Sequence, residues 1–193
     1  MGNSKSNFKE LTPELLDEYT ELTYLSKSEI VYIYKLFKQA DSKNINNDIN
    51  YRLSMENVLK IIPHLRHNPF RESIFRVFSS RKDGKMGFED LLDLCSALSE
   101  KCPETVRSSW AFQIFDFDGD NQISLDDLIE SVERLTGFEN REAKIDRHSA
   151  ELIAQLALSR FGCDMRCCEN FSQSRYEGLL WLMGTIMLLS YVP

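Results

Sequence analysis

Between Asp116 and Asp127 the chain runs Asp-Phe-Asp-Gly-Asp-Asn-Gln-Ile-Ser-Leu-Asp-Asp, and the spacing of its oxygen donors is what a hard cation requires. Such a cation gathers several oxygens at roughly 2.3–2.6 Å, so carboxylates on alternate residues of one tight turn serve it well. Asp116, Asp118 and Asp120 provide that series, the backbone carbonyl of Gln122 supplies a fourth direction, and Ser124 contributes directly or through water. Asp127 closes the set. The chemistry implied is binding of calcium or magnesium through oxygen, and no bond is made or broken.

The run fits the twelve-residue EF-hand loop, with two informative departures. Glycine is usual at the sixth position because the turn needs a positive φ, and Asn121 is the next most tolerant residue there. The twelfth position is usually a glutamate that reaches the ion with both oxygens; Asp127 is one methylene shorter, which weakens calcium and lets magnesium compete. Ile123 is the apolar eighth residue, whose backbone pairs with a partner loop.

Helices must position such a loop, and apolar residues recur at helical spacing through most of the first 160 residues, with no sustained strand-like alternation. The fold class is therefore all-α, a series of calmodulin-like helix-loop-helix repeats. Thr12-Pro13 is a cap followed by a first-turn proline, and Ser26 with Glu29 forms a capping box for a helix carrying Ile30, Ile33, Tyr34 and Phe37. Asp41 to Asn50 reads as a polar loop. Helices follow over Met55 to Ile62, Phe70 to Phe78, Phe88 to about Leu98, and from Cys102-Pro103 through Phe115. Another is expected near Ala150 to Arg160, on Leu152, Ile153, Leu156 and Leu158.

The loop from Ser79 to Asp90 keeps the skeleton of the template without its ligands. Arg81 at the third position puts a cation where calcium would sit. The first unit, between Phe37 and Ser54, is a structural hand at most. Beyond Gly137 no further loop is legible, which leaves Ile123 without a pairing partner. Expected divisions are residues 1–25 (terminal extension and first helix), 26–100 (degenerate pair), 101–137 (metal-binding hand) and 138–193 (divergent segment).

With 30 acidic and 23 basic residues the net charge is −7, which disfavours nucleic acid as a partner. The five cysteines are expected as thiols in a reducing compartment. Cys163, Cys167 and Cys168 cluster, but with only His148 nearby in sequence they do not make a zinc set. The three histidines, His64, His67 and His148, fit no nucleophile-base pattern, so no enzyme activity and no catalytic residue are expected.

Several stretches carry a more specific likeness: Leu15-Leu16-x-Glu18-Tyr19, Leu22-Thr23-x-Leu25-x-Lys27-x-Glu29-Ile30, Asn68-Pro69-Phe70, Phe88-Glu89-Asp90, Trp110 through Asp118, and Arg134-Leu135-Thr136. In these the chain resembles the calcium- and integrin-binding protein family, over about residues 1 to 140. Two failed loops followed by a third ending in aspartate are also similar to that family. The resemblance implies a calcium- and magnesium-binding regulatory adaptor without catalysis. Its partners would be amphipathic cytoplasmic tails of membrane proteins, either integrin α subunits or transmembrane channel-like proteins. Phe112, Phe115, Leu128, Val132 and Leu135 are candidates for the groove receiving such a helix. A phosphatase regulatory subunit like that of calcineurin predicts several working loops, whereas a truncated isoform predicts impaired metal and partner binding.

Met1-Gly2-Asn3-Ser4-Lys5-Ser6 matches the N-myristoylation pattern at Gly2. One acyl chain gives reversible attachment, hence an expected cytoplasmic protein peripheral at the plasma membrane. The apolar run 178–192 is, at about 1.5 Å per residue, too short for a hydrocarbon core of roughly 30 Å.

Overall fold

A computed structural model describes residues 11–45, 51–137, 145–161 and 165–166. Gly2, Cys163, Cys167, Cys168 and the apolar run 178–192 lie outside the described residues. Among the described residues the elements are α1 (Pro13–Leu22), α2 (Lys27–Ala40), α3 (Ser42–Ile45), α4 (Met55–Ile61), a 3-10 helix (Pro63–His67), α5 (Arg71–Phe78), α6 (Phe88–Ala97), α7 (Glu104–Phe115), β1 (Gln122–Ile123), α8 (Leu125–Gly137), α9 (Arg147–Phe161) and β2 (Met165–Arg166). The fold is all-α, of the EF-hand kind.

The local signals act as expected. Thr12 Oγ1 accepts from Leu15 N at 3.3 Å, with Pro13 in the first turn. Ser26 and Glu29 exchange side-chain and backbone bonds, Ser26 N donating to Glu29 Oε2 at 2.6 Å. The polar stretch expected as a loop from Asp41 begins instead with one helical turn, because Asn44 turns back to the Asp41 carboxylate at 3.0 Å.

The chain divides into two compact units, Met1–Pro63 with Phe78–Cys102 and His64–Val77 with Pro103–Pro193. In the first, Phe88 is the centre of an aromatic cluster, with the rings of Tyr19, Tyr34 and Phe37 at 5.7, 5.3 and 5.4 Å. The Tyr19 hydroxyl donates to Glu89 Oε1 at 3.0 Å; burial first, then that carboxylate, pushes its pKa up. Leu53 and Met86 form an antiparallel bridge, Leu53 N donating to Met86 O at 2.7 Å and Met86 N to Leu53 O at 3.0 Å. Burial pushes the thiol of Cys95, a free cysteine on α6, up to about 12, and Cys102 is buried.

The degenerate loop, Ser79 to Asp90, holds a cation, but not the one the sequence suggests. Arg81 is exposed. Arg52, 10% exposed in its side chain, supplies the guanidinium instead: one terminal nitrogen donates to Ser79 Oγ (3.1 Å), Asp83 Oδ1 (3.1 Å) and Lys85 O (2.6 Å). The other reaches Ser80 Oγ at 3.1 Å and Asp90 Oδ2 at 2.8 Å. Arg52 comes from another loop, 27 residues before Ser79, so local spacing cannot reveal it.

The second unit packs Phe70, Ala111, Phe112, Phe115, Ile123, Leu128, Ile129, Ala150 and Ala154 into one core. Phe70 meets Phe115 edge-on at 4.9 Å and stacks on Phe117 at 6.4 Å. Burying one such phenylalanine contributes about 2–3 kcal/mol, which explains why the stretch Phe70 to Val77 belongs here. Helix α9 starts earlier than expected because Asp146 caps it, accepting from Ser149 N at 3.0 Å. Its small residues Ala150 and Ala154 face the core, while Leu152, Ile153 and Leu156 are exposed.

Ile123 does have a pairing partner. β1 and β2 run antiparallel, with Gln122 opposite Arg166 and Ile123 opposite Met165. The sequence hides this because a two-residue strand needs only backbone groups and carries no ligand signature.

Candidate metal centre

The loop begins where α7 ends. Asp116 N closes the last helical bond on Phe112 O at 2.9 Å, and Arg76 donates to Asp116 O at 2.7 Å and Gln113 O at 3.0 Å. A guanidinium at a helix carboxyl end satisfies carbonyls that have no partner within the helix, and its charge complements the dipole. At the far end, Ser124 and Asp127 cap α8 reciprocally: Ser124 N donates to Asp127 Oδ2 at 2.8 Å, and Asp127 N to Ser124 Oγ at 3.1 Å. Asp127 Oδ1 also accepts from Phe117 N at 3.0 Å, tying the two ends of the loop together.

Between these ends, backbone amides gather the carboxylates. Gly119 N and Asp120 N donate to Asp116 Oδ1 at 2.8 and 3.1 Å, and Asn121 N donates to Asp116 Oδ2 at 2.9 Å. Asp118 Oδ1 accepts from Asp120 N at 3.1 Å, and Asp120 Oδ1 from Gln122 N at 2.7 Å. Two residues lie in the left-handed region, Gly119 at φ 76° and Asn121 at φ 62°. The need for positive φ at the sixth position is thus met by asparagine.

Asp116, Asp118 and Asp120 each bring a carboxylate oxygen within 4.8 Å of the others. Two unit charges at that distance repel by about 1 kcal/mol in water and about 3.5 kcal/mol at an effective dielectric of 20. Asp118 and Asp120 are exposed, so the lower figure governs them, while Asp116 is buried. A three-oxygen cluster of this density fits a hard divalent cation.

Asp127 stands outside that cluster, with both oxygens engaged by loop amides and the Ser124 hydroxyl, which donates at 2.6 Å. The short aspartate side chain keeps its carboxylate at the start of α8. Gln122 lies in β1, which fixes its backbone through the ladder. The candidate groove residues are core: Phe112, Phe115 and Leu128 are buried, with Val132 and Leu135 partly buried against them.

Two positioning residues escape sequence reasoning. Arg76 is 40 residues from Asp116, and nothing in local spacing connects them. Arg134 sits over the Phe117 ring at 4.4 Å, donates to Ser73 Oγ at 3.3 Å and pairs with Glu130 at 2.8 Å. Only the Glu130–Arg134 spacing on α8 is visible in sequence.

Helix, loop and helix with clustered carboxylates define a protein of the EF-hand class, and a profile described as an EF-hand domain pair matches residues 82–135. The chain is 34% identical over 151 residues to mouse (Mus musculus) calcium and integrin-binding family member 2, covering 75% of this chain and 78% of that protein. It is 32% identical over 140 residues to the zebrafish (Danio rerio) family member 2, covering 70% and 73%. For human (Homo sapiens) family member 3 the identity is 32% over 139 residues, with the same coverage. The chain belongs to the calcium and integrin-binding family. Among the described residues no helix is long and apolar enough to cross a membrane.

Proposed function

We propose that this chain is a regulatory adaptor that binds calcium or magnesium at the Asp116–Asp127 loop and docks on amphipathic cytoplasmic tails of membrane proteins. The observation that carries the reading is the convergence of Asp116, Asp118 and Asp120 on a turn held by backbone amides. Those carboxylates and the Gln122 carbonyl hold the ion, Ser124 contributes through water, and Asp127 acts mainly as the clasp between the loop's ends. Few protein oxygens and several waters suit magnesium, whose octahedral shell dehydrates reluctantly, so resting magnesium and weak calcium are expected.

The ion biases α7 against α8, and that shift opens the core around Phe112, Phe115, Leu128, Val132 and Leu135 to an apolar helix face. The family relatives are named for integrin binding, and integrin α tails or transmembrane channel-like tails are the proposed partners here. Myristoylation of Gly2 would hold the protein reversibly at the plasma membrane. No catalytic role is proposed.

Calorimetric titration of the full chain with calcium and then magnesium tests the metal reading. One saturable site, lost in Asp116→Ala, is the expected result; absence of binding heat in the wild type for either ion overturns it.

A further inference from the structure

The loop Ser79–Asp90 has the backbone of its metal-binding counterpart. Its fourth and sixth residues, Lys82 and Gly84, have φ of 50° and 70°, and its twelfth, Asp90, accepts from Gly87 N at 2.9 Å and Ser80 N at 3.3 Å. Asp127 makes the matching bonds to Ser124 N and Phe117 N. The guanidinium of Arg52 contacts this loop at its first, fifth and twelfth side chains and at the backbone carbonyl of the seventh residue. Those are the positions from which an EF-hand loop presents oxygen to calcium.

We infer that Arg52 is the resident cation of the second loop, a guanidinium that fills the ion position permanently and makes this unit independent of metal. Arginine is suited to the task, being charged at every physiological pH with a planar fork that engages several oxygens at once. Burying that charge without partners would be strongly unfavourable. Here both terminal nitrogens end on loop oxygens, and only Nε, buried, has no hydrogen-bond partner. A divalent ion in the same place would face this guanidinium at contact distance. Leu53, the next residue along, bridges to Met86 and so anchors the arginine's own backbone to the loop it fills.

Chemical rescue tests this. The full-length Arg52→Ala chain is expected to melt lower than wild type by on the order of 10 °C. Guanidinium chloride at about 20 mM, well below denaturing concentration, should restore at least half of that loss, with no such gain from matched sodium chloride or in the wild type. A missing drop, or recovery no better with guanidinium than with sodium, overturns the inference.

If Arg52→Ala does not fold, Arg52→Lys keeps the charge without the fork. Adding Asp83→Asn to it should then lower Tm by less than half as much as Asp83→Asn does in the wild type; equal losses overturn the inference. As a separate arm, the Asp116→Ala chain should bind no calcium at up to millimolar concentration with Arg52 in place, and binding that disappears with Asp83→Asn overturns it. That arm reads the second loop alone, so it can succeed or fail whatever the Asp116 loop does.

Discussion

The loops Ser79–Asp90 and Asp116–Asp127 follow the same backbone path and solve opposite electrostatic problems. Each has positive φ at its fourth and sixth residues, and each is closed by an aspartate that accepts from the amides of the second and ninth. The first carries three basic and three acidic residues, net zero, and takes a guanidinium from elsewhere in the chain; the second carries five aspartates and no basic residue. Backbone path is therefore set by turn chemistry and the terminal aspartate clasp, while the first and third positions, Ser79 and Arg81 in one loop and Asp116 and Asp118 in the other, are where the two loops part in charge.

Breaking the charged loop should have the largest effect. Asp116→Ala removes the proposed first ligand and the acceptor of three amides, and calorimetry is expected to detect no calcium binding up to millimolar concentration. Asp127→Glu sharpens the contrast in the other direction: a longer arm reaching the ion with both oxygens should raise calcium affinity on the order of tenfold relative to magnesium, read by competition titration. Asn121→Val puts a β-branched residue at φ 62° and should destabilise the second unit by about 1–2 kcal/mol in thermal melts, whereas Asn121→Gly should not. Arg76→Ala removes the donors to Asp116 O and Gln113 O, a loss of about 1 kcal/mol by denaturant unfolding.

The smallest expected effect is acid sensitivity at the arginine-filled loop. The Lys85 amide first, then Arg52, lowers the Asp83 carboxyl from 3.8 to about 2. A depressed acid contributes stability that is complete above its unfolded value and is lost as pH falls toward the folded one. Wild type should thus lose a component of stability between about pH 4 and pH 2 that Asp83→Asn lacks. Glu29, lowered to about 2 chiefly by Ser26, titrates in the same window, so the difference between the two chains in a circular-dichroism acid titration is the reading.

What was legible in the sequence was whatever acts locally. Thr12, Ser26 with Glu29, the turn at Asn121 and the aspartate series each act within a few residues, and each lies where its spacing implies. What was hidden acts across the chain. Arg52 reaches a loop 27 residues on, and Arg76 reaches a carbonyl 40 residues on. The partner of Ile123 is a strand defined by amides and carbonyls alone. The apolar residues of α9 implied a helix and one is there, but spacing alone did not say which residues turn inward: Ala150 and Ala154 are buried, Leu158 packs against the same core, and Leu152, Ile153 and Leu156 are exposed.

The five amide bonds that gather Asp116, Asp118 and Asp120 also bear on rates. A binding turn already assembled by its own peptide groups asks little reorganisation of the arriving ion, so the slow event in capture is the ion's loss of water. Calcium sheds its shell readily and magnesium does not. Stopped-flow mixing should therefore show calcium arriving much faster than magnesium even where the two occupy the loop comparably at equilibrium, giving a brief calcium pulse a head start that equilibrium affinities alone would not convey.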